Sequence, residues 1–163
     1  MIRKLAAIMF TDIEGYSALM QNNEKEAFMW RSKHREIFSR YTELFRGEIL
    51  QYYGDGTLSI FSSAVDAVEC ALAIQKSMLK EPGVPLRIGI HSGDIMHNQE
   101  EIIGDSVNIA SRIESLAQAG SILISEKIFD EISNHPELKV KFMGSYLLKN
   151  MTKKQALYAL LDK

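Results

Sequence analysis

Phe10-Thr11-Asp12-Ile13-Glu14-Gly15-Tyr16-Ser17 is the stretch that decides how this chain reads. The apolar run leading into it, Leu5 to Phe10, has the length and composition of a short buried strand. That strand delivers a carboxylate, Asp12, to its tip, and helical spacing begins a few residues later. Such a tip suits a metal and phosphate site. The carboxylate holds a hard cation, and the N–H groups opening the next helix face phosphate oxygens.

A partner stretch lies downstream, Tyr53-Gly54-Asp55-Gly56-Thr57, flanked by the strand-like runs Glu48–Tyr53 and Thr57–Phe61. Asp55 therefore sits at a tight glycine turn of a hairpin. Laid beside the first strand, the hairpin puts Asp55 and Asp12 at one end of the sheet. Two carboxylates there bind Mg²⁺ or Mn²⁺ together with nucleotide phosphates. Taken singly, each motif reads as well as a helix cap or a plain turn. The pair, with the motifs that follow, favours the metal.

The chain has 163 residues, one domain's worth, with 25% charged residues and a net charge of −2. That balance gives no electrostatic footprint for nucleic acid and no polybasic membrane patch. The one cysteine, Cys70, lies in an apolar helical run as a buried thiol, excludes an internal disulfide and a cysteine-built zinc site, and suits a reducing compartment. No signal peptide or membrane-spanning run is read, so a soluble, cytoplasmic domain over 1–163 is expected, with room for fused regulatory domains outside this chain.

In order, the spacing predicts an amphipathic helix from about Asn22 to Phe45, with His34 packing on its apolar stripe and Gly47 as its stop. The hairpin follows, then a helix from Ala64 to about Leu79 capped by Ser62-Ser63. Leu86–His91 alternates as a strand continuing to Ile95, and 96–101 reads as a polar loop or arm. A helix over Ser106–Ala119, a strand at Ile122–Ile124, a short helix from Ser125, and closing strands at Leu138–Phe142 and Ala156–Leu161 complete the chain. This order predicts an α+β fold, a ferredoxin-like antiparallel sheet with helices packed on one face.

The predicted helix over Ser106–Ala119 places Asn108 and Arg112 four apart on one face, where an amide and a guanidinium grip a ribose and a phosphate oxygen. A solvated polar face is the ordinary reading of such a pair. Arg87 alternates with Ile88 on its strand, either an exposed arginine or a phosphate clamp beside the two aspartates. Lys149, just before the last strand, is by default a surface lysine.

Phe10–Ser17, Gly54-Asp55-Gly56, Arg87-Ile-Gly-Ile-His-Ser-Gly93 and Gly104-Asp-Ser-Val-Asn-Ile-Ala-Ser-Arg112 together resemble the catalytic domain of class III nucleotidyl (adenylate/guanylate) cyclases, in the right order over nearly the whole chain. The resemblance implies the cyclase homology domain, working as a head-to-tail homodimer with active sites in the interface. It implies that Asp12 and Asp55 hold two divalent metal ions, Mg²⁺ or Mn²⁺, with the carbonyl of Ile13 as a further ligand. The turn of Glu14, Gly15, Tyr16 and Ser17 would cover the triphosphate, and Arg87 would bind phosphate. Asn108 would orient the ribose, Arg112 would stabilise the pentavalent transition state, and Lys149 would reach the terminal phosphates. Asn108, Arg112 and Lys149 would come from the other subunit.

The positions matching the family's base-reading pair hold Gln51 and Glu101. Glutamine both donates and accepts, so it suits adenine or guanine. Glu101 only accepts, and suits an adenine or cytosine amino group or the guanine N1-H and N2 donors. The acidic residue is nearer the adenylate pattern, so ATP is favoured, with GTP or a pyrimidine triphosphate as alternatives. The implied reaction is attack of the ribose 3′-OH on the α-phosphorus, giving a 3′,5′-cyclic monophosphate and pyrophosphate. A catalytically silent dimerisation or sensor module would have lost a metal Asp, the Asn or the Arg, and all are present. A dinucleotide cyclase needs a Gly-Gly-Asp/Glu-Glu-Phe type hairpin, which Gly54-Asp55-Gly56-Thr57-Leu58 lacks.

Overall fold

The computed structural model describes residues 1–149 and 151–161, so the last two residues of the expected domain lie outside the described residues. The first strand, β1, runs Ile2–Ile13. It is longer than its apolar run because its polar ends are also paired, from Ile2↔His97 to Ile13↔Leu86, along β4 (Leu86–His97). Helices α1 (Tyr16–Asn22) and α2 (Glu24–Leu44) replace the single helix expected from Asn22. The break falls at Asn23, whose side-chain oxygen accepts the Glu26 N–H at 3.2 Å and caps α2. The stop also differs in detail. Arg46 takes the left-handed conformation (φ 64), and the Gly47 N–H reaches back to the Thr42 carbonyl at 2.8 Å, closing a Schellman motif. Gly47 is needed for space, since a Cβ there would run into the Phe61 ring.

The hairpin is β2 (Glu48–Tyr53) and β3 (Gly56–Phe61), followed by α3 (Ala64–Met78) and β4. After it come β5 (Ile102–Ile103), α4 (Asp105–Leu116), β6 (Ile122–Ser125), α5 (Glu126–Ile132), β7 (Val140–Tyr146) and β8 (Gln155–Leu160). Ser63 and Ser125 cap α3 and α5 by accepting the N–H groups of Asp66 and Ile128. The sheet order is β2-β3-β1-β4-β6-β8-β7, and β5 folds back on the end of β4. Its first four strands and the helices between them form the ferredoxin-like unit.

Three expectations are corrected. The sheet is mixed rather than wholly antiparallel, because β6 lies parallel to β4 after the α4 crossover. The helices do not share one face. The main core, around Met9, Phe38, Phe61, Val68, Ile74 and Ile128, lies under α2, α3 and α5. A second apolar layer, around Ile8, Phe10, Leu58, Ile95 and Ala110, lies under α4 on the opposite face. The arm at 96–101 is partly strand, pairing Met96 with Ile103 and His97 with Ile102. Two glycines let α4 approach the sheet. A Cβ at Gly89 would strike the backbone of Glu114, and one at Gly93 would strike the Ser106 side chain.

Strand alternation then sorts the tip of β1. Asp12 shares the α4 side with Phe10, and Thr11 shares the α2 side with Met9. There the Thr11 hydroxyl bonds His34 Nε2 at 2.8 Å and the Thr57 hydroxyl at 2.6 Å. His34 is thus more than a packing residue, tying α2 to both strands that lead to the aspartates. Burial, reinforced by Arg35, lowers its pKa from 6.5 to about 4. Burial, with Lys127 nearby, does the same to His91 on β4.

Both imidazoles are neutral in the folded chain down to about pH 4, whereas the unfolded chain protonates them near 6.5. Between those values the unfolded state binds more protons, so stability falls as pH drops through that window. His91→Asn is expected to lower the slope of unfolding free energy against pH there by about 1.4 kcal/mol per pH unit. Urea titrations from pH 4 to 7 measure it, and an unchanged slope would mean His91 is not held neutral by the fold.

Candidate active site

Asp12 and Asp55 meet at one end of the sheet, as their motifs suggest. Asp55 is at the β2–β3 turn, and its Oδ2 accepts the Ile13 N–H at 3.2 Å, fastening the hairpin to the tip of β1. The approach is close, since a Cβ at Gly56 would meet the Thr11 carbonyl. The Ile13 side chain is buried in the core, so only its backbone can serve a ligand.

Arg87 stands directly across from Asp12 in the β1–β4 ladder. Its guanidinium grips the carboxylate with both ends, Nε to Oδ1 at 2.8 Å and Nη2 to Oδ2 at 2.7 Å. Both side chains keep about a quarter of their surface exposed. The hydrogen bonds to Asp12 raise the arginine's pKa further.

Sequence reasoning missed Glu114 on α4. It is only 5% exposed, and its Oε2 has no hydrogen-bond partner. Arg87 Nε lies 3.8 Å from that oxygen, and the Asp12 carboxylate stands against the same side chain. Burial, then the charge of Asp12, push its carboxyl up to about 8. The signal was present: Val107, Ala110 and Glu114 fall on one stripe of the helix, and a carboxylate on a buried stripe is unusual.

A cavity of about 560 Å³ opens over this cluster, lined among others by Asp12, Asp55, Gln51, Glu101, Asn108 and Glu114. Gln51 and Glu101 are exposed at its rim, one on the outer strand β2 and the other in the turn before β5. Asn108 is exposed on the cavity side of α4, whereas Arg112, one turn on, does not line the cavity. Arg112 is half-buried and has no hydrogen-bond or ion-pair partner among the described residues. Lys149 is exposed and also apart from the cavity, beside Leu148, which packs under α4 with Ile113.

In the turn from Glu14 to Ser17, Glu14 and Ser17 are exposed, and Gly15 takes a left-handed φ of 74°. The Glu14 N–H is already bonded to the Pro85 carbonyl at 2.8 Å, and the Tyr16 ring is buried in the core. Any phosphate contact by these two residues is narrowed accordingly: Glu14 cannot offer its amide, nor Tyr16 its side chain. The first helical bond is Leu19 N–H to Gly15 O, so the N–H groups of Tyr16, Ser17 and Ala18 have no intrahelical partner.

Among the described residues no three His, Cys, Asp or Glu side chains form a metal cage. Two hard carboxylates fit Mg²⁺ or Mn²⁺ nonetheless, because such ions take one or two carboxylates and complete their shell with waters and substrate phosphates. The bidentate guanidinium on Asp12 marks where a positive charge is wanted.

Comparison with known proteins bears on the whole chain. A 35% identical relative, "Putative adenylate cyclase 3" of Rhizobium meliloti (strain 1021), matches over 91% of this chain and 27% of its own length. The chain spans about a quarter to a third of the curated relatives it matches. The structure of the adenylyl cyclase CyaB from P. aeruginosa superposes with a TM-score of 0.88 at 26% identity, covering 99% of this chain and 96% of that one. An adenylate/guanylate cyclase/hydrolase from Silicibacter pomeroyi superposes with a TM-score of 0.85 at 29% identity, covering 99% and 98%. The family model for the adenylate and guanylate cyclase catalytic domain matches residues 3–162, and this chain belongs to that family.

Proposed function

We propose that residues 1–163 form one nucleotidyl cyclase catalytic domain, converting a nucleoside triphosphate, ATP in preference, to its 3′,5′-cyclic monophosphate and pyrophosphate. The observation that carries this reading is the convergence of Asp12 and Asp55, on separate elements, in the lining of one cavity. The divalent ions, when bound, lower the pKa of the 3′-OH and stabilise charge on the phosphates. Asp12, Asp55 and the Ile13 carbonyl hold them. Arg87 and the N–H groups of Gly15 to Ser17 receive the phosphates, as does Lys149 at their far end. Asn108 orients the ribose, so that attack is intramolecular and aligned. Arg112 meets charge developing at the α-phosphorus.

Within one chain, Arg112 and Lys149 stand away from the cavity that Asp12 and Asp55 line. A two-fold head-to-tail homodimer supplies Asn108, Arg112 and Lys149 in trans, since in such an interface each copy gives the surface it receives. Gln51 and Glu101, at the rim, read the base. Glu101 accepts from the adenine N6 amino group, and Gln51 turns its amide to suit N1 and N6. A guanine base would satisfy the same two side chains, and GTP is the competing substrate for that reason. No helix among the described residues is long and apolar enough to cross a membrane, in keeping with a domain that works in the cytoplasm, joined to regulatory segments of a longer protein.

Each nucleoside triphosphate is to be offered separately with Mn²⁺ and with Mg²⁺, the cyclic product being identified by mass. Asp55→Ala is expected to abolish product, and activity surviving in it would overturn the two-metal reading. Arg112→Ala is expected to lower kcat by about 10²–10³ with the fold intact.

The shared site has its own test. Asp55→Ala chains mixed with Arg112→Ala chains place both defects in one site of each mixed dimer and leave the other whole. Random pairing then restores about a quarter of wild-type turnover. Mixtures no more active than their components would exclude a site built from two copies.

A further inference from the structure

Asp12 has both of its oxygens occupied by Arg87. A metal ion at Asp12 has to displace at least part of that pair, leaving a half-buried guanidinium in need of an acceptor. Two other carboxylates bear on it, the exposed Glu14 and, more strongly, the buried Glu114. Glu114 Oε2 lies 3.8 Å from Arg87 Nε, is buried and makes no hydrogen bond. An unsatisfied buried oxygen is costly, and its retention in a site calls for a reason. The backbone geometry holds it in place. Gly89 follows Arg87 by two residues on the same strand face, and the absence of a side chain there seats α4 at Glu114 against β4. Glu114 is thereby fixed relative to the root of Arg87. Closing from 3.8 Å to a charge-assisted hydrogen bond needs a shift of only about 1 Å.

Resting on the assignment of Asp12 as a metal ligand, we propose that Glu114 is the positioning residue that receives Arg87 Nε when a divalent ion takes Asp12. Arg87 is the cation held by Asp12, and Glu114 is its second seat. With Nε on Glu114, both terminal nitrogens of the guanidinium are released toward the cavity, where they meet the substrate phosphates. One side chain thus guards the metal carboxylate before loading and serves the nucleotide after it.

The test is Mn²⁺ binding to the full chain without nucleotide, followed by the electron paramagnetic resonance of the free ion. Wild type, Glu114→Gln, Arg87→Gln and the double variant are compared, with Asp12→Asn as control. Thermal unfolding and circular dichroism establish that each variant folds. Removing the competing guanidinium in Arg87→Gln is expected to tighten Mn²⁺ binding by about tenfold, and Glu114→Gln to weaken it by about tenfold. The decisive comparison is the double variant. If Glu114 acts through Arg87, it has nothing to do once the arginine is gone, and the double variant binds like Arg87→Gln. If the double variant is weaker than Arg87→Gln by the same factor that separates Glu114→Gln from wild type, Glu114 acts on the ion directly and the exchange is wrong. Unchanged affinity in Glu114→Gln, with wild-type binding abolished by Asp12→Asn, also overturns the exchange but leaves the cyclase reading standing. Wild-type binding insensitive to Asp12→Asn overturns both.

Discussion

Both faces of β1 are covered, and its two-residue period therefore commits neighbouring side chains to different layers. Thr11 must enter the layer under α2, and Asp12 must enter the layer under α4. A slip of one residue would exchange them and bury the carboxylate in the main core. The pairing with β4, which runs the full length of β1, makes that slip expensive. The bonds of Thr11 to His34 and Thr57 close the same register from the other side. The placement of Asp12 beside Asp55 is in this sense a consequence of the core, and not of the loops that carry the motifs.

Much of this was legible in the sequence, and the reasons are specific. Leu5 to Phe10, the glycines around Asp55 and the alternation from Leu86 are local signals, and each element formed where its signal lay. The face taken by α4 was not legible. A β-α-β order does not say on which side of a sheet the crossover passes. Gly89 and Gly93 were the clue, because small residues two turns of pleat apart mark where another backbone lies close. The split at Asn23 was hidden for a different reason, since helical spacing continues through it and only the cap reveals the break. Glu114 escaped notice because motif reading looks at polar faces, and this carboxylate sits on an apolar one. His34 was assigned to packing by its stripe, and its bond to a threonine 23 residues away is invisible to periodicity.

The electrostatics of the site follow from crowding. Asp12, Asp55 and Glu114 share one small region, and the burial of Glu114 makes its ionised form the hardest to sustain. A cluster short of positive charge is unstable alone and ready to accept it. This explains in one stroke why Arg87 is held by both ends, why a buried oxygen is left over, and why a divalent ion with a nucleotide's phosphates is a fitting guest. The fold itself is held elsewhere, in the layer of Phe38, Phe61 and Ile74, so the site can carry this imbalance without endangering the core.

Gln51 lies next to an irregularity in β2, where the pairing with β3 shifts register between Ile49 and Gln51. It is exposed, on the outermost strand, and its partner strand β3 is buried throughout. Selection can therefore act on this position almost in isolation. On the reading proposed above, changes that alter the preferred base fall on a surface whose sequence the fold scarcely constrains, while Asp12 and Arg87 are locked into paired strands. If Gln51 and Glu101 read the base as proposed, a lineage carrying this scaffold shifts its nucleotide by a few replacements at the rim, with no passage through an unfolded ancestor.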